Sequence, residues 1–219
     1  MTARSAAGEG EAATAAATPA APAYERVWGQ GALDTMESIV DEGFTATGGT
    51  VVLATGDGYW DALAASGVAG LEGAPVLLTS LDGTTLSPQT EAELGRLAPS
   101  RVYVCGGEMA VPDSVMSAVR SVTGVEPQRL WGQDATGTAV SIYEAGEGRW
   151  SKTAIVATCQ SFMDALSVAP YAYHSGSPIF LARMSDDRLS DETLAAIRDG
   201  GFDRVLVVGG AMAVSPDVE

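Results

Sequence analysis

Seven residues, Thr55-Gly56-Asp57-Gly58-Tyr59-Trp60-Asp61, follow a short apolar run and set two glycines close to a carboxylate. In a nucleotide-binding loop of this kind, backbone N–H groups cradle phosphate and a third glycine allows the close approach. The third glycine is missing here, and the matching place 103 residues on reads Thr158-Cys159-Gln160-Ser161-Phe162-Met163-Asp164. Losing both glycines removes the nucleotide reading. The single histidine, His174, can be written beside Ser161 and Asp164 as a hydrolytic trio. No nucleophile elbow surrounds that serine, and Leu71 stands where the other copy would need the histidine. Asp186-Asp187 lacks the spacing of a calcium loop. Cys105 and Cys159 form no CxxC pair and are too few for a zinc site. Both follow apolar runs, where a free thiol packs as a small apolar side chain. The sequence therefore predicts no catalytic residue, no metal site and no cofactor.

Two features survive in both copies. Asp61 and Asp164 each precede an Ala-Leu pair and fall in the first turn of a helical pattern, where a carboxylate can accept backbone N–H groups and complement the helix dipole. Gly106-Gly107 and Gly209-Gly210 lie between a strand and a helix. They serve either as a positive-φ turn or as a nest of N–H groups for an anion.

The elements that must position these residues follow from one repeat. Arg26-Val27-Trp28-Gly29-Gln30 returns as Arg129-Leu130-Trp131-Gly132-Gln133, an offset of 103 residues. The same offset carries Asp61-Ala62-Leu63 onto Asp164-Ala165-Leu166 and Met109-Ala110-Val111 onto Met212-Ala213-Val214 with no insertion or deletion. Within a copy, apolar runs such as Val51–Ala54, Val76–Leu78 and Val102–Val104 read as central parallel strands. Helical patterns over Leu33–Val40, Ala62–Ala69 and Pro88–Leu97 lie between them, the last with Ser87 as N-cap and Pro88 at the first helical position. Ser190-Asp191-Glu192 repeats that cap in the second copy, with acids in the first turn. The fold class is α/β: two tandem doubly wound three-layer αβα units with parallel sheets. Residues 1–23 form a disordered Ala/Thr/Pro-rich linker with no apolar periodicity and no signal-peptide pattern. Residues 24–128 form the first repeat. Residues 129–219 form the second, whose last helix is expected to be cut short.

The charge narrows the partners. A formal net charge of −16 argues against nucleic acid and anionic membranes, and no apolar stretch reaches the roughly 20 residues of a spanning helix.

Val52-Leu53-Ala54-Thr55-Gly56, Asp61-Ala62-Leu63-Ala64, Ala74-Pro75-Val76-Leu77-Leu78-Thr79, Leu86-Ser87, Val104-Cys105-Gly106-Gly107 and Ala110-Val111-Pro112 together resemble the cell-wall-binding repeat 2 family. Val207-Val208-Gly209-Gly210 and Ala213-Val214-Ser215 repeat the resemblance in the second copy. The resemblance implies a secreted, non-catalytic, S-layer-like surface module of a Gram-positive bacterium that anchors its protein to anionic wall polymers. It also implies packing between repeats through Pro75, Val76, Leu77, Leu78 and Pro178, Ile179, Phe180, Leu181, and association with further repeats of the chain or with itself. Candidate ligand contacts are Arg26, Arg129, Arg101 and Arg204 with Gly106, Gly107, Gly209 and Gly210. The family's Asp-Arg-Tyr is replaced by Gly31-Ala32-Leu33 and Asp134-Ala135-Thr136, so its basic residue is absent twice. That departure opens a second expectation: a surface scaffold or spacer that presents or binds a protein partner without polymer affinity.

Overall fold

The structure is a computed structural model. It describes residues 24–146 and 148–218, preceded by the two-residue antiparallel pair β1 (Arg4–Ser5) and β2 (Gly8–Glu9). The disorder expected over 1–23 otherwise lies outside the described residues. The order that follows is α1 (Ala32–Gly43), β3 (Thr50–Ala54), α2 (Trp60–Glu72), β4 (Val76–Leu78), α3 (Pro88–Leu97), β5 (Arg101–Cys105) and α4 (Asp113–Thr123). Then come β6 (Gln128–Leu130), α5 (Ala135–Ala145), β7 (Thr153–Thr158), α6 (Met163–Ser175), β8 (Ile179–Ala182), α7 (Asp191–Asp199), β9 (Arg204–Val208) and a 3-10 turn at Pro216–Val218.

Two parallel sheets result, ordered β4-β3-β5-β6 and β8-β7-β9. Strands apolar on both faces must be covered on both, and they are. One face of the first sheet carries Val51, Leu53, Leu77, Val102 and Val104, closed over by α1, α3 and α4 through Met36, Leu94, Val115 and Val119. The opposite face, with Val52, Ala54, Tyr103 and Cys105, packs on α2 and shares one core with Ile142, Trp150, Ile155, Ile179 and Leu181 of the second unit. Both units are thus joined by continuous apolar packing. Of the two proline-led strands, Ile179 and Leu181 face this shared core with Val76 and Leu78 at its margin. Leu77 and Phe180 point the other way, into the cores of their own units. Helix α2 approaches so closely that a Cβ on Gly70 would lie 2.0 Å from the Tyr173 carbonyl oxygen. Helix starts follow the expected chemistry where a hydroxyl is available: Ser87 Oγ accepts from the Thr90 N–H and Ser190 Oγ from the Thr193 N–H.

The sheets do not divide where the sequence repeat does. Strand β6, which straddles the repeat boundary, adds to the first unit's sheet, with Tyr103 opposite Gln128, Val104 opposite Arg129 and Cys105 opposite Leu130. The Gly106 N–H donates to the Leu130 carbonyl at 2.9 Å, carrying the ladder past the end of β5. The Arg129 guanidinium then clamps the turn beyond, donating to the carbonyls of Gly106 (2.9 Å) and Val111 (2.7 Å) and to Asp113 (2.8 Å).

Asp61 and Asp164 do stand in the first turns of α2 and α6. Neither accepts a backbone N–H among the described residues, which corrects the capping role expected of them. The N-cap positions are Tyr59 and Phe162, so the aspartates stand at the second helical position, where they complement the helix dipole without a backbone bond. They turn instead onto the glycine turns. A Cβ on Gly106 would lie 2.6 Å from Asp61 Oδ2, and one on Gly209 2.8 Å from Asp164 Oδ2. With φ of 116° and 120°, both positions also demand glycine for their backbone.

Two outcomes follow from this packing. Arg129→Ala strands two carbonyl acceptors and an aspartate, and should lower unfolding free energy by about 2–3 kcal/mol. Arg26→Ala, at an exposed position, should change it by less than about 0.5 kcal/mol; urea titration at low protein concentration compares the two. Burial without a compensating donor pushes Asp61 up to about 6 from 3.8. Because the folded value is the higher one, the protein is penalised progressively as pH rises through that window and fully above about 6. Asp61→Asn should therefore stabilise by about 2–3 kcal/mol at pH 8 and by under about 1 kcal/mol at pH 4. A pH-independent difference in urea midpoints would contradict the assignment.

Candidate functional site

In open parallel sheets the natural place for a ligand is the crevice beyond the strand carboxyl ends. The first unit has a cleft of about 590 Å³ there. Its walls come from the loop after β3 (Trp60, Asp61), the turn after β5 (Gly107, Glu108, Met109) and the segment after β6 (Trp131 to Asp134). Every wall has a local cause. Trp60 is fixed by donating its ring N–H across the unit junction to the Cys159 carbonyl at 2.7 Å. Trp131 is exposed, and its backbone is tied to α5 by the Ser141 hydroxyl. Asp134 caps α5, accepting from the Gly137 N–H and the Thr136 hydroxyl, and these bonds hold its carboxyl below the usual range. Asp61, Glu108, Asp113 and Asp134 face the cleft, and the one cation among its described lining residues, Arg129, is already committed to Asp113 and two carbonyls. This end suits neutral or cationic groups that can stack on indole and donate to carboxylates.

The opposite end, at the strand starts, gathers arginines. Arg101, Tyr103, Gln128 and Arg149 line a notch of about 320 Å³. Arg101 and Arg149 converge on one carboxylate, Glu72, at 3.6 and 2.6 Å, and the Arg101 guanidinium lies 5.8 Å from the Tyr103 ring centre. Both guanidiniums thus meet over one carboxylate at the seam between the units.

The residues singled out from sequence are therefore not one constellation. Arg101 and Arg204 open their strands, whereas Gly106 and Gly209 follow the far ends of the same strands. Arg129 serves the fold, holding the Gly106 turn. Arg26 and Arg204 are exposed and make no side-chain bond among the described residues. The N–H groups of the Thr55 loop that a phosphate would need are spent internally, Gly56 on the Thr79 hydroxyl and Asp57 on the Thr55 hydroxyl. The hydrolytic trio is not assembled. His174 sits in the last turn of the 13-residue helix whose first turn holds Asp164, about 15 Å away along its axis. Burial raises the thiols of Cys105, which is also beside Asp61, and of Cys159, so neither is a reactive thiolate at neutral pH. Sequence reasoning missed Arg149, Trp131 and Glu72. Arg149 corresponds to Ala46 in the other copy, so the repeat offers no signal for it. Trp131 does recur as Trp28, and that recurrence was the available clue.

No helix among the described residues is long and apolar enough to cross a membrane, and no group of three or more metal-ligating side chains occurs among them. Comparison with known proteins places the architecture. The chain is 32% identical over 170 residues to the amidase enhancer of Bacillus subtilis, matching 78% of this chain and 22% of that protein. It is 35% identical over 88 residues to the N-acetylmuramoyl-L-alanine amidase LytC of the same organism, matching 40% of this chain and 17% of the amidase. Cwp6 and Cwp8 of Clostridium difficile share the fold at TM-scores of 0.80 and 0.74, each at 25% identity. They are covered over 33% and 31% of their lengths, against 92% and 87% of this chain. The chain thus spans about a fifth of the curated relatives and a third of the solved ones. Residues 26–116 and 129–219 each match cell wall binding domain 2 (CWB2), and together these regions make up most of the sequence. Two tandem copies in unbroken register, folded as successive αβα units, form a cell-wall-associated module, and the chain belongs to the cell wall binding domain 2 family.

Proposed function

We propose that this chain is a non-catalytic module that holds a secreted protein at the bacterial surface by binding anionic wall polymer, with the Arg101–Arg149 notch taking the anionic groups. The observation carrying this reading is the convergence of two guanidiniums on the single carboxylate of Glu72 at the seam between units. An overall charge of −16 repels a polyanion at long range, so contact has to come from a local basic site of this kind. Affinity per unit is then weak and retention depends on several units together. The match to cell wall binding domain 2 and to the amidase enhancer supports the non-catalytic part. Linker 1–23 followed by repeats 24–128 and 129–219 is the organisation that goes with this role. The acidic, tryptophan-lined cleft favours a second reading, a scaffold that presents or binds a protein partner without polymer affinity.

Retention on purified walls separates the two. Arg101→Gln with Arg149→Gln, made together with Glu72→Gln so that no buried carboxylate is left unpaired, should cut retention about tenfold with circular dichroism unchanged. Stripping anionic secondary polymers from the walls should bring the unsubstituted protein down to the same level. Full retention by the triple variant on untreated walls would remove the notch from the site, and retention of the unsubstituted protein that survives stripping would favour the scaffold reading.

A further inference from the structure

The arginine notch already holds an anion, and that anion belongs to the chain. Glu72 ends α2 with its side chain 11% exposed, beneath guanidiniums that are 53% (Arg101) and 43% (Arg149) exposed. One of its oxygens, Oε1, serves both. It accepts from Arg149 at 2.6 Å and stands 3.6 Å from Arg101, beyond hydrogen-bond reach. The other, Oε2, accepts from the Thr50 hydroxyl at 3.3 Å. A planar carboxylate in this place satisfies one guanidinium and only attracts the other.

Neither guanidinium needs Glu72 to stay where it is. Arg101 lies 5.8 Å from the Tyr103 ring centre and donates to the Tyr103 hydroxyl at 3.4 Å. The Arg149 Nε–H donates to the Gly146 carbonyl at 3.1 Å. Glu72, in turn, has room to leave. On its Thr50 side it opens on a hollow of about 400 Å³ walled by Phe44, Pro75 and Tyr173. The αβα fold itself does not call for this ion pair. Across the 103-residue repeat, Ser175 stands at the place of Glu72 and Ala46 at that of Arg149, whereas Arg101 recurs as Arg204. The carboxylate and the second guanidinium are both particular to this seam.

We infer that Glu72 is a displaceable internal competitor for the notch, and that the group displacing it is a phosphodiester of the polymer rather than a carboxylate. A tetrahedral phosphoryl group projects its oxygens in different directions and reaches both guanidiniums at once, which Glu72 does not. Glu72 then withdraws onto Thr50 and the hollow behind it. Because it is tethered, it competes at a high effective concentration and lowers the affinity of every incoming anion by the same factor. A uronate on a polymer brings only what Glu72 already supplies, so that penalty leaves it unbound. The better-fitting phosphodiester survives it. This inference rests on the wall-polymer reading of the notch and adds which anion enters and what it must move.

Titrations with dimethyl phosphate and with methyl glucuronoside, read on the side-chain N–H resonances of Arg101 and Arg149, test it. The unsubstituted protein should bind dimethyl phosphate about tenfold more tightly, the worth of one further charge-assisted hydrogen bond. Glu72→Gln keeps the side-chain shape and removes its charge. It should tighten both probes by about tenfold and leave their ratio unchanged, since one competitor has been removed for both. The gain should persist at an ionic strength of about 0.5 M, where a change in long-range charge alone is screened. Retention of Glu72→Gln on purified walls should rise accordingly. A Glu72 that only holds the arginines in place would make Glu72→Gln loosen both probes, and that result overturns the inference. So does equal affinity of the unsubstituted protein for the two probes. Either failure leaves the notch standing as an anion site. Arginine resonances that move with neither probe in either protein would overturn that reading and this inference together.

Discussion

Two residues of the second repeat, Arg129 and Leu130, lie with Gln128 in the sheet of the first, and the rest of the arrangement depends on that loan. A parallel sheet cannot leave its middle strands wet, and β5 would be an edge without Gln128–Leu130 beside it. Once Leu130 is paired, Arg129 reaches the carbonyls of Gly106 and Val111. The glycine turn is thereby fixed, and Asp61 is left only the space above Gly106. The orientation of α5, the shared core around Ile142 and Ile155, and the cleft under Trp131 all descend from the same three-residue strand.

Much of this was legible beforehand because the signals were redundant. Every run read as a strand in the first repeat is one, and Pro88–Leu97 forms a helix with the ends its cap and proline specify. Tandem copies in register meant that one αβα reading served for both. Strand β6 was not legible, because Gln128-Arg129-Leu130 has two polar residues out of three and no periodicity to detect. Only its partner strand makes it a strand. The aspartates misled for a related reason. First-turn position suggests capping, but capping depends on which residue ends the extended chain, and Tyr59 and Phe162 have already entered the helix. Of the arginines, the repeat marked those that serve architecture. The notch needed Arg149, which belongs to one copy alone.

The two ends of the strands carry different side chains. At the carboxyl ends, acids and indoles gather with one arginine that is already engaged. At the amino ends, two guanidiniums share a carboxylate. Asp61 remains ionised near neutrality only at a cost in stability, since burial raises it and no donor relieves it. Residues held against the interest of stability concentrate where function constrains the chain. The same arrangement recurs sterically at Asp164 over Gly209.

The borrowed strand also sets a direction in time. A chain emerging amino end first can form β3, β4 and β5 as soon as Cys105 is free, yet the sheet they belong to is not finished until Leu130 follows. The first unit therefore has one edge unpaired until the boundary residues Gln128–Leu130 follow and close it. The reach from Cys105 to Leu130 is about 25 residues, so closing that sheet carries a lower loop-closure entropy cost than pairing distant ends, by about 0.6 kcal/mol for each halving of the loop.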